Sequence, residues 1–249
     1  MANQFVRTEL IYGKPAIEAL KNAHVAVFGV GGVGGYVVEA LARSGVSHFT
    51  LIDNDKVSLT NINRQIIATL DTVDKYKVDV MKERILSIND KAIVETKKLF
   101  FLPENKDEFD FNKYDYVVDC IDTVKAKIAL VEACNVSNTP LISSMGAGNK
   151  VNPMGFMVTD IFKTEMDPLA KVMRTELKKR RIKHLKVVYS KEKPLEPLSE
   201  NVDLSDASLN TKRITPGSNA FVPTAAGLLI ASEVVRDLTN DVARSELKR

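Results

Sequence analysis

The chain has 249 residues, 45% of them apolar and 27% charged, enough to bury one sizeable core and too apolar for a disordered tail. No apolar run reaches the roughly 18 residues a membrane span needs, and the start, MANQFVRTEL, lacks the apolar stretch of a secretion signal, so a cytoplasmic protein is expected. The formal net charge is +3, yet ten Lys or Arg between Lys171 and Lys193 face only Glu176 and Glu192, so one segment carries the basic character. Such a block is either a solvated helix face or a phosphate-binding surface.

Residues 1–160 alternate short apolar runs with amphipathic ones, the pattern of an α/β fold. His24–Phe28 reads as a buried strand, followed at once by GVGGVG. A helical pattern covers Tyr36–Arg43, and Phe49–Ile52 supplies a second strand ending at Asp53. Lys75–Ile88 carries Val78, Met81, Ile85 and Ile88 at helical spacing. Further strands are expected at Ile93–Thr96, Tyr116–Val118 and Leu141–Ser143, with a helix over Val124–Val136. Right-handed crossovers make the sheet Rossmann-like and largely parallel, with helices on both faces. A basic, loop-rich segment over 161–215 opens at Asp167-Pro168 with a helix to about Arg181. It continues with a strand at Lys186–Tyr189 and a Pro-, Ser- and Asn-rich loop from Lys191 to Gly217. Residues 216–249 hold a buried helix, Phe221–Val235, that packs back on the core.

Gly29, Gly31 and Gly34 fall in the spacing G-x-G-x-x-G between a strand and a helix, where missing side chains let a phosphate approach the backbone. Asp53 stands where a carboxylate would accept hydrogen bonds from a ribose hydroxyl. Alone, this is a dinucleotide fingerprint, with NAD or FAD as the default ligand. The run Asp53–Gln65 and the following Lys75-Tyr76-Lys77 add what hydride transfer does not need: Arg64 and Lys77 as phosphate ligands, and Asp122, beyond the strand at Tyr116, as a metal ligand. Together they suit a triphosphate arriving with magnesium. The plain alternative makes Arg64 and Lys77 surface charges and Asp122 a helix N-cap.

The phrases GVGGVGGYVVEALARSGV, LIDNDKVSLTNINRQ, Lys77 and CIDT together resemble the ubiquitin-activating-enzyme superfamily of ATP-dependent adenylating proteins. The resemblance implies that Gly29, Gly31, Gly32 and Gly34 hold the ATP phosphates and Asp53 the ribose. It implies that Asp55, Asn61, Arg64, Gln65 and Lys77 line the rest of the site, and that Asp122 binds Mg2+. In that family a partner subunit's N-terminal arginine often completes the site; Arg7 is the candidate, and a homodimer is implied. Arg64, Lys77, Asp122 and Arg7 are thus the expected catalytic set.

Within the superfamily, RTELIYG, the stretch from SSMGAGNK to RTELKKR, and NAFVPTAAGLLIASEVVRDL resemble the bacterial tRNA threonylcarbamoyladenosine dehydratases. That implies a tRNA carrying threonylcarbamoyladenosine as substrate, cyclised with release of AMP and pyrophosphate. It also suggests that a sulfur-mobilising protein partner docks. Lys171, Arg174, Lys178, Lys179, Arg180, Arg181, Lys183 and Lys186 then become candidate tRNA-backbone contacts. The alternative is activation of the C-terminal glycine of a sulfur-carrier or ubiquitin-like protein. Members doing that commonly carry paired Cys-x-x-Cys zinc sites, and with only Cys120 and Cys134 no structural zinc is expected here. Cys120 is either a thioester nucleophile or an apolar filler, the second reading being favoured. His24, His48 and His184 share no ligand spacing.

Overall fold

The computed structural model describes residues 3–196, 198 and 216–246, the last six of these by their backbone alone. The strands β1 (His24–Phe28), β2 (His48–Ile52), β3 (Ile93–Lys97), β4 (Tyr116–Asp119), β5 (Leu141–Ser144), β6 (Phe156–Asp160) and β7 (Lys186–Ser190) form one sheet. Its order is β3-β2-β1-β4-β5-β7-β6. All neighbours run parallel except β6, which pairs antiparallel with β7 at one edge.

Helices cover both faces, and the pleat decides which residues meet them. Val25 and Val27 of β1 point toward α2 (Lys14–Asn22), α3 (Gly34–Ser44), α4 (Lys77–Ile88) and α7 (Val222–Glu246), where Leu20, Leu41, Met81 and Ile230 are buried. Ala26 and Phe28 point the other way, toward α5 (Val124–Ser137) and a Phe101–Phe109–Phe111 cluster. Beyond it α6 (Pro168–Lys179) buries Met173 and Leu177 against Val187 and Tyr189. A further helix, α1 (Val6–Tyr12), buries none of its residues.

Most expected elements are present with ends shifted by a residue or two, and the differences have local causes. The basic helix stops at Lys179, before the expected Arg181, because Arg181 takes the left-handed φ of +57°. The C-terminal helix runs on to Glu246, well past Val235, with Pro223 in its first turn where no amide partner is needed. β6 was not expected: it lies at the sheet edge, half-buried, and its short apolar run Phe156–Val158 directly follows Pro153 and Gly155, which read as loop. β7 inserts between β5 and β6, so part of the 161–215 segment is continuous with the core sheet. Of the loop expected over Lys191–Gly217, residues 197 and 199–215 lie outside the described residues. No described helix is long and apolar enough to cross a membrane.

Candidate nucleotide site

The parallel strands end together on one edge, and the connections after β1, β2 and β4 converge there. After β1 the chain turns sharply: Gly29 donates to Ile52 O (2.8 Å) and has φ of +89°. A Cβ on Gly29 would lie 2.7 Å from Cys120 O, and one on Gly34 only 1.8 Å from Gly29 O, so both glycines are demanded by the fold itself. Gly31 differs. Its nearest neighbour to a Cβ is Gln65 Nε2 at 3.8 Å, so folding alone does not require a glycine there. Behind the turn, α7 closes in through Gly227, where a Cβ would stand 2.5 Å from Val33 O.

Asp53, at the end of β2, accepts from Val30 N (2.8 Å) through one carboxylate oxygen and from Asp55 N (2.8 Å) through the other. It thereby ties the glycine turn to the β2 loop. Burial pushes its carboxyl above the ordinary range, against the pull of Lys77. Lys77 is buried, and its ammonium donates to Asp55 Oδ2 at 2.6 Å. The pairing of Lys56 with Tyr76 carries the start of α4 back to this loop.

Asn61 is also buried, and its side-chain oxygen accepts from Ser58 N (3.2 Å), shaping the turn that presents Arg64. Arg64 donates to Thr60 O and Asn63 Oδ1, both at 2.9 Å, and pairs with no carboxylate among the described residues. Its stem lies against Gly32, 3.5 Å from where a Cβ would be. Burial alone pulls the guanidinium below its usual range. Next to it Gln65 is buried with Oε1 lacking any hydrogen-bond partner among the described residues. A partly desolvated, unpaired cation and an orphaned amide oxygen beside Gly31 are costly unless a polar ligand completes them.

Asp122 is exposed, three residues beyond β4; its Oδ1 accepts from Thr123 Oγ1 (3.3 Å). The N-cap of α5 is Thr123, so the helix-cap reading of Asp122 is set aside. Cys120 lies against the glycine turn, and burial, followed by the Asp119 charge, pushes its thiol far above the range in which a thiolate forms. It is partly buried and packs against the core, as a small apolar filler does. Cys134 behaves alike, its thiol pushed up to about 12 by burial.

Arg7 stands apart. Gln4 Nε2 donates to Ile88 O at the end of α4, and the Phe5 ring reaches Gly45, the C-cap of α3. Both anchors lie at the edge of the sheet opposite the glycine turn. The basic block is likewise spread. Helix α6 starts at the site's edge, where Asp167 pairs with Lys150 (3.0 Å), and runs about 18 Å toward the other edge. At its C-terminal end Glu176 takes Lys179 and Arg180 (each 2.7 Å) and Glu132 takes Arg180 (2.9 Å), and beyond it Asp237 of α7 takes Lys186 of β7 (2.6 Å). Arg174 donates to Thr164, and Lys178 lies over the Phe162 ring. Lys171, Arg181 and Lys183 are exposed with no such contact among the described residues.

Sequence reasoning missed two features of this edge. Lys127, on α5, is fully buried against Asp119 (3.0 Å); its signal is a charge on the same helical face as Leu130, Val131 and Cys134, all buried. Asn149, with φ of +56°, exchanges hydrogen bonds with Gly217 and accepts from Leu195 N (2.7 Å), so its loop holds two distant parts of the chain. Asn63 and Asn219 add bonds to Ser218 O (3.0 Å) and Lys150 O (2.9 Å).

The sequence pattern of the ThiF family matches residues 3–248. The tRNA threonylcarbamoyladenosine dehydratase of Bacillus subtilis is 47% identical over 100% of this chain and 98% of its own length. A crystal structure of Escherichia coli tRNA N6-threonylcarbamoyladenosine dehydratase, TcdA, in complex with ATP superposes with a TM-score of 0.86 at 34% identity. The match covers 97% of this chain and 96% of that one. The adenylyltransferase and sulfurtransferase MOCS3 of Culex quinquefasciatus is 36% identical, over 50% of this chain and 28% of its own length.

Proposed function

Because the chain belongs to the ThiF family, we propose that it is an ATP-dependent tRNA-modifying enzyme, dehydrating the threonylcarbamoyl side chain of a modified adenosine to a cyclic form. The similarity to a dehydratase spans the full length, whereas that to a sulfurtransferase covers half, so carrier-protein activation is not favoured. The observation that carries the chemistry is the half-buried Arg64, its stem against Gly32 and its guanidinium without an anionic partner among the described residues, next to the orphaned Gln65 oxygen.

Loss of water from a carboxylate is uphill in water, so the acid must first acquire a leaving group. In this reading a carboxyl oxygen of the side chain attacks the α-phosphate of ATP, pyrophosphate departs, and an acyl-adenylate forms. An atom of the same side chain then attacks the activated carbonyl and expels AMP. Because that nucleophile is tethered, orientation replaces a catalytic cysteine and contributes on the order of 7 kcal/mol or more. The raised Cys120 thiol agrees with a route that does not use it. Asp53 receives the ribose, while Gly29, Gly31, Gly32 and Gly34 approach the phosphates. Asp55, Asn61 and Gln65 shape the pocket around them, and Arg64 and Lys77 stabilise the charge that develops. Lys77 would exchange its Asp55 partner for phosphate oxygen.

Among the described residues no group of three or more His, Cys, Asp or Glu forms a metal cage. Asp122 offers a single exposed carboxylate, the donor set Mg2+ takes when nucleotide phosphates and water supply the rest. Mg2+ bound there supplies charge neutralisation at the phosphates. Arg7, anchored at the far edge of its own chain, serves this chemistry in a homodimer, reaching the partner's site. Lys171, Arg181 and Lys183 contact the tRNA backbone, with Arg174, Lys178, Lys179, Arg180 and Lys186 secondary because intramolecular contacts already engage them. A sulfur-mobilising protein is a further partner in this reading, and the cytoplasm its compartment. Formation of AMP and pyrophosphate that depends on threonylcarbamoyl-modified tRNA tests the proposal; equal turnover with unmodified transcript would overturn it.

A further inference from the structure

We infer that Lys127 is a positioning residue for adenylation, holding Asp119 so that the Cys120–Asp122 turn is fixed against the glycine turn. The inference rests on the assignment of Asp122 to the adenylation site above. Lys127 and Asp119 side chains are both 0% exposed. All three ammonium protons have acceptors: Asp119 Oδ2 (3.0 Å), Ser143 Oγ (3.1 Å) and Ser144 O (2.7 Å). Asp119 Oδ2 also accepts from Ser143 Oγ (2.6 Å), while its Oδ1 accepts from Ile121 N (3.1 Å), the middle of the turn that ends in Asp122. One cation thus joins α5 to the tips of β4 and β5.

Such a group is expensive to keep. It takes a charge out of water, and it places a cation in the first turn of its own helix, where the dipole disfavours one. An apolar side chain would fill the space without either penalty. What the ammonium supplies is direction: it orients Asp119, and through Asp119 the Ile121 amide. The other side of the turn is already in contact with the nucleotide-binding backbone. Cys120 N donates to Phe28 O (2.8 Å), and Cys120 O occupies the place a Gly29 Cβ would need. The glycine turn has its own anchor in the bond from Gly29 to Ile52, so release of Asp119 displaces Asp122 first.

The test uses the full chain with modified tRNA, comparing wild type, Asp122→Asn and the paired neutral variant Asp119→Asn/Lys127→Met. The pair removes both charges together, so no uncompensated ion is left inside. Circular dichroism should match wild type and KM for ATP should stay within about threefold. The kcat for AMP formation should fall by about thirtyfold or more, the scale of a misplaced reacting group, with a raised Mg2+ requirement. A simple packing role would leave kcat and the Mg2+ dependence unchanged in the folded variant, and that result overturns the inference. Should the paired variant fail to fold, Ser143→Ala, which removes one hydrogen bond from Asp119, decides. A kcat reduced about threefold at unchanged melting temperature supports the inference, and a wild-type kcat refutes it. Full activity in Asp122→Asn would instead sink the adenylation assignment. An inactive Asp122→Asn beside a fully active paired variant sinks this inference alone.

Discussion

The cations of the glycine-turn edge and those of helix α6 are deployed in opposite ways. At the edge, Arg64 is half-buried with carbonyl-type partners only among the described residues, and Lys77 is buried on a single exposed aspartate. On and after α6 the charges are numerous, but Lys179, Arg180 and Lys186 are tied up with Glu176, Glu132 and Asp237. Charge counted along a sequence is therefore not charge available to a ligand. Arg64, with no carboxylate partner among the described residues, has more to offer a phosphate than most of the ten in the basic block, whereas Lys77 must first give up Asp55. Exposed ion pairs are individually worth little to stability, yet they remove those side chains from the set free to meet a polyanion.

The sharpest break of this contrast comes from Arg64→Ala. It should lower AMP formation by about 10²- to 10³-fold, with the melting temperature unchanged, because no carboxylate among the described residues loses its partner. Steady-state kinetics beside differential scanning fluorimetry would read both. Next come the glycines that frame the same site. Gly34→Ala, which forces a Cβ onto Gly29 O, should cost about 3 kcal/mol of stability in denaturant unfolding. Gly31→Ala should weaken ATP binding with little change in unfolding; if the two behave alike, the open space at Gly31 has no bearing on nucleotide approach. For α6, the triple change Lys171→Ala/Arg181→Ala/Lys183→Ala should weaken tRNA binding about tenfold and reduce the slope of log affinity against log salt by about 2. Lys179→Ala/Arg180→Ala/Lys186→Ala should do less, and the reverse order would undo the distinction between free and engaged cations.

The smallest effect is expected at the opposite edge, away from both regions. His24 stacks on His48 with ring centroids 3.5 Å apart and shares a hydrogen bond with Thr50 (2.8 Å). Burial, followed by the His48 charge, lowers its pKa, against the weaker raising influence of Glu95 and Asp115. A His with a depressed folded-state pKa stabilises the protein above its unfolded value of 6.5, and this contribution is lost as pH falls below that toward the folded value. Melting temperature should drop by a few degrees from pH 7.5 to 5.5, and His24→Gln should flatten that decline. An unaltered pH profile in the variant would show that the stack is indifferent to protonation.

The central parallel strands were legible because strands covered on both faces read as apolar runs, as HVAVF does. The edge strand FMVTD is half-exposed and its apolar run is only three residues long beside a Pro- and Gly-containing turn; α1 packs none of its apolar residues, Val6, Leu10 and Ile11, into the core. The residues singled out in the sequence, the glycines, Asp53, Arg64, Lys77 and Asp122, lie in the connections that follow β1, β2 and β4. Their separate duties were not legible. Nothing in the spacing distinguishes Gly31, which the fold does not need, from Gly34, which it does, since that depends on where Gly29 O lies in space. Pairing of the basic block was equally hidden: Glu132 and Asp237 are far from it in sequence and close only after folding.

Asn149 holds Leu195 through its carbonyl and Gly217 through its amide and side chain, so two positions well apart in sequence meet at one residue. A single clasp therefore serves both, and removing its side chain loosens the Gly217 attachment while the backbone bond to Leu195 can persist.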